Sequence, residues 1–154
     1  MNATDREIID HFLHTREKTI ELLRGIPDGL LNRTPAGETA SVAVQFFHIA
    51  VSSEWFMDTV MGDGGGETRQ VPGDREGITE LLERTGKRPS AFFEPDGDRM
   101  DREFTAVIGD GREHTCTGRD WLLTTIDHEV HHRGKIVLAL RQWGFGDFPH
   151  FLYT

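Results

Sequence analysis

His128 and His132 stand four residues apart in the run Asp127-His128-Glu129-Val130-His131-His132-Arg133-Gly134-Lys135. In a helix that spacing is one turn, a rise of about 6 Å, and it stacks the two side chains on one face. Nitrogens from such a pair can converge on one ion at about 2.0 to 2.1 Å each. The same pair can instead serve packing, each ring donating one hydrogen bond to a carbonyl or carboxylate. Read another way, His128-Glu129-Val130-His131-His132 is HExxH, in which the glutamate is a general base for metal-activated water. The extended metzincin form would need glycine at Lys135 and histidine at Leu138, and neither is present. A zincin of another kind would have to recruit Asp147 or His150 as its third ligand.

Apolar periodicity separates the three histidines. A helix from about Gly118 to Trp143 places Trp121, Thr125, His128, His132, Ile136, Ala139 and Trp143 on one stripe, expected to face the core. His131 falls with Thr124, Asp127, Lys135 and Gln142 on a polar stripe and is expected to be exposed. A second helix, from about Thr39 to Met61, carries His48 on a stripe with Val44, Val51, Ser52 and Trp55. An unpartnered ring on a buried face costs on the order of 1 to 3 kcal/mol, and a metal shared by His48, His128 and His132 would satisfy all three. Three nitrogen ligands suit zinc or nickel, without excluding iron, cobalt or copper, and leave at least one position for water or substrate.

These motifs and their order resemble the DinB-like superfamily, small four-helix metalloproteins that include thiol S-transferases and mycothiol-dependent maleylpyruvate isomerases. The resemblance is carried by Phe46-Phe47-His48-Ile49-Ala50 with Glu54-Trp55 after it. It is carried equally by Asp127 to Ile136 followed by Leu140-Arg141-Gln142-Trp143-Gly144, which is similar to the family's closing HxxxHRGQ helix. Lys135 departs from the usual glutamine. The resemblance spans essentially the whole chain and implies a DinB/YfiT-type four-helix bundle, with His48, His128 and His132 as ligands of one divalent ion. It also implies activation of a low-molecular-weight thiol toward an electrophilic small molecule.

Composition narrows the partners. The 154 residues, 36% of them hydrophobic, suffice for one domain spanning 1–154 with a real core. A formal net charge of −9 opposes nucleic-acid binding, since phosphates would be repelled. The polar, acidic start and the lack of a long apolar run argue against a signal peptide or membrane anchor. The single cysteine, Cys116, agrees with a reducing compartment, so the cytoplasm is the expected location.

The remaining segments are scaffold. Thr4 and Glu7 have capping-box spacing, opening a helix to about Arg24 whose apolar stripe is Ile9, Phe12, Leu13, Ile20 and Leu23. His11 and His14 lie on its wet face, while Arg16 interrupts the apolar stripe and either snorkels to the edge or meets an anionic substrate. Gly62-Asp63-Gly64-Gly65-Gly66 reads as a linker. A third helix begins near Asp74, presents Ile78, Leu81, Leu82 and Thr85 inward, and is interrupted by Pro89. Asp110-Gly111 marks a hairpin or extended loop between Glu103 and Thr117, after which Thr117 and Asp120 cap the last helix. The aromatic tail, Phe148 to Tyr153, folds back over the bundle.

The expected fold is therefore all-α, a four-helix bundle with a small hairpin before its last helix. Glu129 is expected to pair with Arg133 four residues on, and Gly134 to mark a close helix crossing. Phe46, Ile49, Phe56 and Val60, outside the His48 stripe, are read as a surface for a homodimer. The working function is a divalent-metal-dependent enzyme of small molecules. A metal-stabilised binding protein and a zincin peptidase are the alternatives.

Overall fold

Asn2 sets the first helix in the computed structural model, its side-chain oxygen accepting the backbone N–H of Asp5 at 2.9 Å. Helix α1 (Ala3–Gly25) thus starts before Thr4, and the expected Thr4–Glu7 capping box lies inside its first turn. Asparagine is among the strongest N-caps, and the earlier start delivers the buried Asp5 carboxylate to Arg119 Nη2 at 2.6 Å. The structure describes residues 1–62, 64 and 70–151. Most of the glycine linker and the chain beyond Phe151 lie outside them.

A single turn, α2 (Asp28–Leu31), leads to α3 (Val42–Trp55), capped by Ser41 and continued by a π-helical turn over Phe56–Val60. Asp74 caps α4 (Arg75–Gly86), whose face of Ile78, Leu81, Leu82 and Thr85 is buried as its spacing requires. Pro89 separates it from the short α5 (Arg88–Phe93), which restarts with the proline in its first turn, where a missing N–H costs nothing. Strands β1 (Glu103–Val107) and β2 (Glu113–Thr117) pair antiparallel with Phe104 opposite Cys116, and Gly111 takes the positive φ of +74° in their turn. The chain is thus mostly helical with a two-stranded sheet, where the expectation was all-α with a hairpin or loop. The capping box of Thr117 and Asp120 opens α6 (Gly118–Gln142) as expected.

Each of the four long helices packs on two neighbours: α1 and α3 both touch α4 and α6. Two apolar clusters fill the interior. One gathers Leu23, Phe46, Leu82 and Leu140 with their neighbours; the other gathers Phe12, Met57, Phe93 and Trp121. Following the chain through them, α1 and α6 run from the second cluster to the first, and α3 and α4 run the other way. The hairpin closes the second cluster, Trp121 Nε1 donating to the carbonyl of Phe104 at 3.0 Å. At the opposite end the tail folds back, with Phe148 and Phe151 against the first cluster.

Three apolar expectations change. Leu13 is 37% exposed, because the faces of α1 toward α4 and α6 are taken by Thr15, Arg16 and Thr19. Phe46, Ile49, Phe56 and Val60 are all buried within the chain rather than offered to a second copy, since α4 and α6 cover α3 while β1 and α6 cover the π-helical turn that carries Phe56 and Val60. Gly134 is exposed, with nothing among the described residues within 4 Å of an added Cβ, so none of the described helices crosses there.

Candidate metal centre

His48 comes from α3, and His128 and His132 from successive turns of α6, at the seam where those helices pack. The rings form a nearly regular triangle. Their centroids are 4.5 Å apart for His128 and His132, 4.5 Å for His48 and His132, and 5.1 Å for His48 and His128. One ligand nitrogen from each lies within 4.8 Å of the other two. On a tetrahedral ion, nitrogens at about 2.0 to 2.1 Å are about 3.4 Å apart, so small ring rotations would close the triangle. The donor set fits a divalent transition metal.

Where the seam lies corrects the reason for which His48 was singled out. His48 is exposed, and His128 and His132 are half-buried, because the inward face of α3 is Gln45, Phe46, Ile49, Ser53 and Glu54. His48 loses only part of its hydration, so the full desolvation penalty invoked for a buried ring does not apply to it. What gathers the rings is the α3–α6 packing, which leaves one side of the triangle toward solvent. Ser52 Oγ stands 3.4 Å from His48 Nε2, and Phe56 meets His128 edge-on at 6.4 Å between centroids.

The electrostatics keep the rings neutral. Partial burial pushes the pKa of His132 down to about 4, helped by repulsion from the other histidines and from Lys135. His48 is lowered first by burial and then by Lys135, His128 by burial and then by His48. Neutral imidazole is the form that binds a metal. Lys135 ion-pairs with Glu38 at 2.7 Å beside the triangle.

The other singled-out groups sort themselves away from the rings. His131 is exposed, edge-on to His132 at 5.2 Å between centroids and outside the ligand group, as its polar stripe predicts. His11 and His14 also stay outside it. Glu129 is 1% exposed and reaches α1, where Arg16 Nε donates to its two carboxylate oxygens at 3.1 and 3.0 Å. Arg16 Nη1 also donates to the Leu82 carbonyl at 2.9 Å and Thr85 Oγ1 at 2.7 Å. The expected Glu129–Arg133 pair is therefore replaced by Glu129–Arg16. Arg133 donates instead to the Thr15 carbonyl at 2.9 Å and lies over the ring of Phe151. Arg16 does not snorkel; it is 3% exposed and directs Nε to Glu129 on α6 and Nη1 to Leu82 and Thr85 on α4. Sequence reasoning missed Gln45, buried one turn before His48, and Glu38, which pairs with Lys135. An isolated glutamine on an apolar helix face was the available signal for the first.

A family model described as the DinB family matches residues 1–149. The chain is 25% identical over 147 residues to the uncharacterized protein YjoA of Bacillus subtilis (strain 168), covering 94% of each. It resembles the crystal structure of that DinB-like protein with a TM-score of 0.70 and 24% identity, over 94% of this chain and 97% of that one. A DinB-like protein from Bacillus cereus ATCC 10987 matches with a TM-score of 0.75 and 20% identity over 95% of both chains. Those structural likenesses carry the fold, and the family model, reaching over nearly the whole sequence, decides membership: this chain belongs to the DinB family.

Proposed function

We propose that the protein is a divalent-metal-dependent enzyme of small molecules, transferring a low-molecular-weight thiol to an electrophile. His48, His128 and His132 hold one ion per chain, zinc or nickel. The observation that supports it best is the triangle of neutral imidazoles, open on one side, with no fourth His, Cys, Asp or Glu ligand atom in the group among the described residues. A closed structural site would use four protein ligands. When bound, a divalent cation supplies Lewis acidity that lowers the pKa of a thiol or water beside it. The chain's own residues do the rest. The three rings stay unprotonated, the α3–α6 seam leaves a path for a small molecule, and Lys135 adds positive charge at the edge. In the overall reaction the sulfur forms a bond to an electrophilic carbon. In a substitution the leaving group departs with its bonding pair and the thiol proton passes to water. In an addition the alkene π pair moves to the adjacent carbon, which takes up a proton in place of the one the thiol lost.

The peptidase alternative loses its base. Glu129 is enclosed and committed to Arg16 on α1, about a quarter-turn of α6 away from His128. With cobalt in place of the native ion, titrating small thiols should produce a thiolate charge-transfer band that is absent in His132→Ala. Casein cleavage that survives in the native protein and vanishes in Glu129→Gln would replace this reading with the zincin one. Cobalt bound without any response to thiols or electrophiles would leave a metal-stabilised binding protein.

A further inference from the structure

Gln45 makes no side-chain hydrogen bond to the described residues that would call for a glutamine. It lies on α3 one turn before His48, is 5% exposed, and neither its Nε2 nor its Oε1 has a hydrogen-bond partner among the described residues. Each such orphan costs on the scale of a lost hydrogen bond, and a leucine or methionine of similar volume would avoid both. Unpartnered buried amides are retained where something else pairs with them.

The space around it says what. Two small cavities, about 170 and 140 Å³, share Glu38, Gln45 and Lys135 as walls. The first reaches His48 and His132, and the second opens beside Leu138 and Gln142. Between them stands the Lys135–Glu38 ion pair, whose side chains are 38% and 34% exposed. A half-exposed pair of that kind is weak and exchanges readily with another carboxylate. Glu38 is carried on the loop before α3, next to Gly37 at φ +81°, so its withdrawal does not disturb a helix. Opening the pair would join the cavities into one groove, with the Gln45 amide along its wall and the histidine triangle at its inner end.

We propose that this groove is a subsite for a small molecule bearing a carboxylate and an amide, with Lys135 taking the carboxylate in place of Glu38 and Gln45 pairing with the amide. A glutamine side chain offers one acceptor and two donors, so it matches an amide reciprocally, N–H to carbonyl in both directions. An ammonium adds a charge-assisted hydrogen bond that an uncharged analogue cannot make. Lys135 is then a specificity residue. The proposal rests on the metal reading only in that the groove ends at those rings.

N-acetylglycine is the probe for the metal-free protein, followed by the side-chain amide resonances of Gln45, which are assigned by their loss in Gln45→Leu. Saturable shifts are expected, with N-acetylglycinamide binding about tenfold more weakly because it lacks the charge. Lys135→Met should reduce the acid to the level of the amide, and Glu38→Gln should tighten the acid. Gln45→Leu should raise the melting temperature while weakening both ligands, a combination that a purely structural glutamine does not produce. N-acetylglycine leaving the Gln45 amide unmoved at tens of millimolar, or an acid preference that survives Lys135→Met, would overturn the subsite. On the cobalt-loaded protein, N-acetylcysteine should elicit the thiolate band at lower concentration than N-acetylcysteamine, and Lys135→Met should abolish that difference. If cobalt gives no spectrum of histidine ligation, the metal reading falls, and the N-acetylglycine titration still decides the subsite.

Discussion

Three imidazoles within mutual reach of one ion must be neutral to hold it, and their surroundings arrange this. His132, with its pKa near 4, stays unprotonated well below neutrality. A metal held by these rings should therefore be released at a lower pH than one held by ordinary histidines with pKa about 6.5. Metal content after dialysis at stepped pH checks this. In the metal-free protein the sign is also set. The folded pKa lies below the unfolded one, so the unfolded chain binds more protons between about pH 6.5 and about 4. Stability should fall as pH drops through that window and level off beneath it, and His132→Ala should flatten part of the slope. Alanine at His48, His128 or His132 should each remove most of the metal, whereas His131→Ala should keep it. Full occupancy in His48→Ala would sink the three-histidine assignment.

At the scale of helices, α6 presents two chemistries from one segment. His128 and His132 face α3, while Glu129 and Arg133 face α1, because residues one apart in a helix point about 100° from each other. The Arg16–Glu129 pair, with side chains 3% and 2% exposed, is the polar joint between α1 and α6. Removing one member of such a pair strands a buried charge and costs roughly 3 to 5 kcal/mol, whereas replacing both by apolar groups is often neutral. Glu129→Leu should thus lose about that much in urea denaturation while binding metal normally in its folded state. The double variant Arg16→Met/Glu129→Leu should recover most of the loss. A double variant no more stable than the sum of its parts would show that the pair is not the unit that matters.

For the molecule as a whole, the core is interrupted rather than continuous. The stretches of α1, α3, α4 and α6 between the two apolar clusters contain Thr15, Arg16, Thr19, Ser53, Glu54, Thr85, Glu129 and Arg133, all buried. The histidine triangle sits at the same level, on the rim of this polar belt. Metal there would brace α3 to α6 where apolar packing is thinnest. By mass action, metal at a hundred times its Kd stabilises by about 2.7 kcal/mol. For a chain of this size that raises Tm by roughly 5 to 10 °C. Calorimetry with and without a chelator measures it, and an unchanged Tm would mean that the ion does not bridge the helices. Among the described residues no helix is long and apolar enough to cross a membrane.

Much of this was legible in the chain because it is written in local periods. The Asp110-Gly111 hairpin, the Thr117–Asp120 capping box, the inward face of α4 and the break at Pro89 all follow from near-neighbour chemistry. So does the placing of His128 and His132 one turn apart with His131 off their face. Packing decided the rest, since it depends on which helix lies against which side. His48 was singled out by a burial it does not have, and its ring reaches the others because α3 meets α6 along that edge. Phe46, Ile49, Phe56 and Val60 exceeded what one helix face could bury, yet α3 has two neighbours, the π-helical turn after it packs on β1 and α6, and all four residues are covered. Glu129 had an in-helix partner at the right spacing, but Arg16, 113 residues away in the chain, offered a buried guanidinium that i,i+4 geometry on a surface could not match. Local order in the chain is enough to set where helices form, how they are capped and which histidines share a turn. Which faces meet depended on the packing of helix against helix, because a helix's period specifies that a side is apolar without naming what covers it.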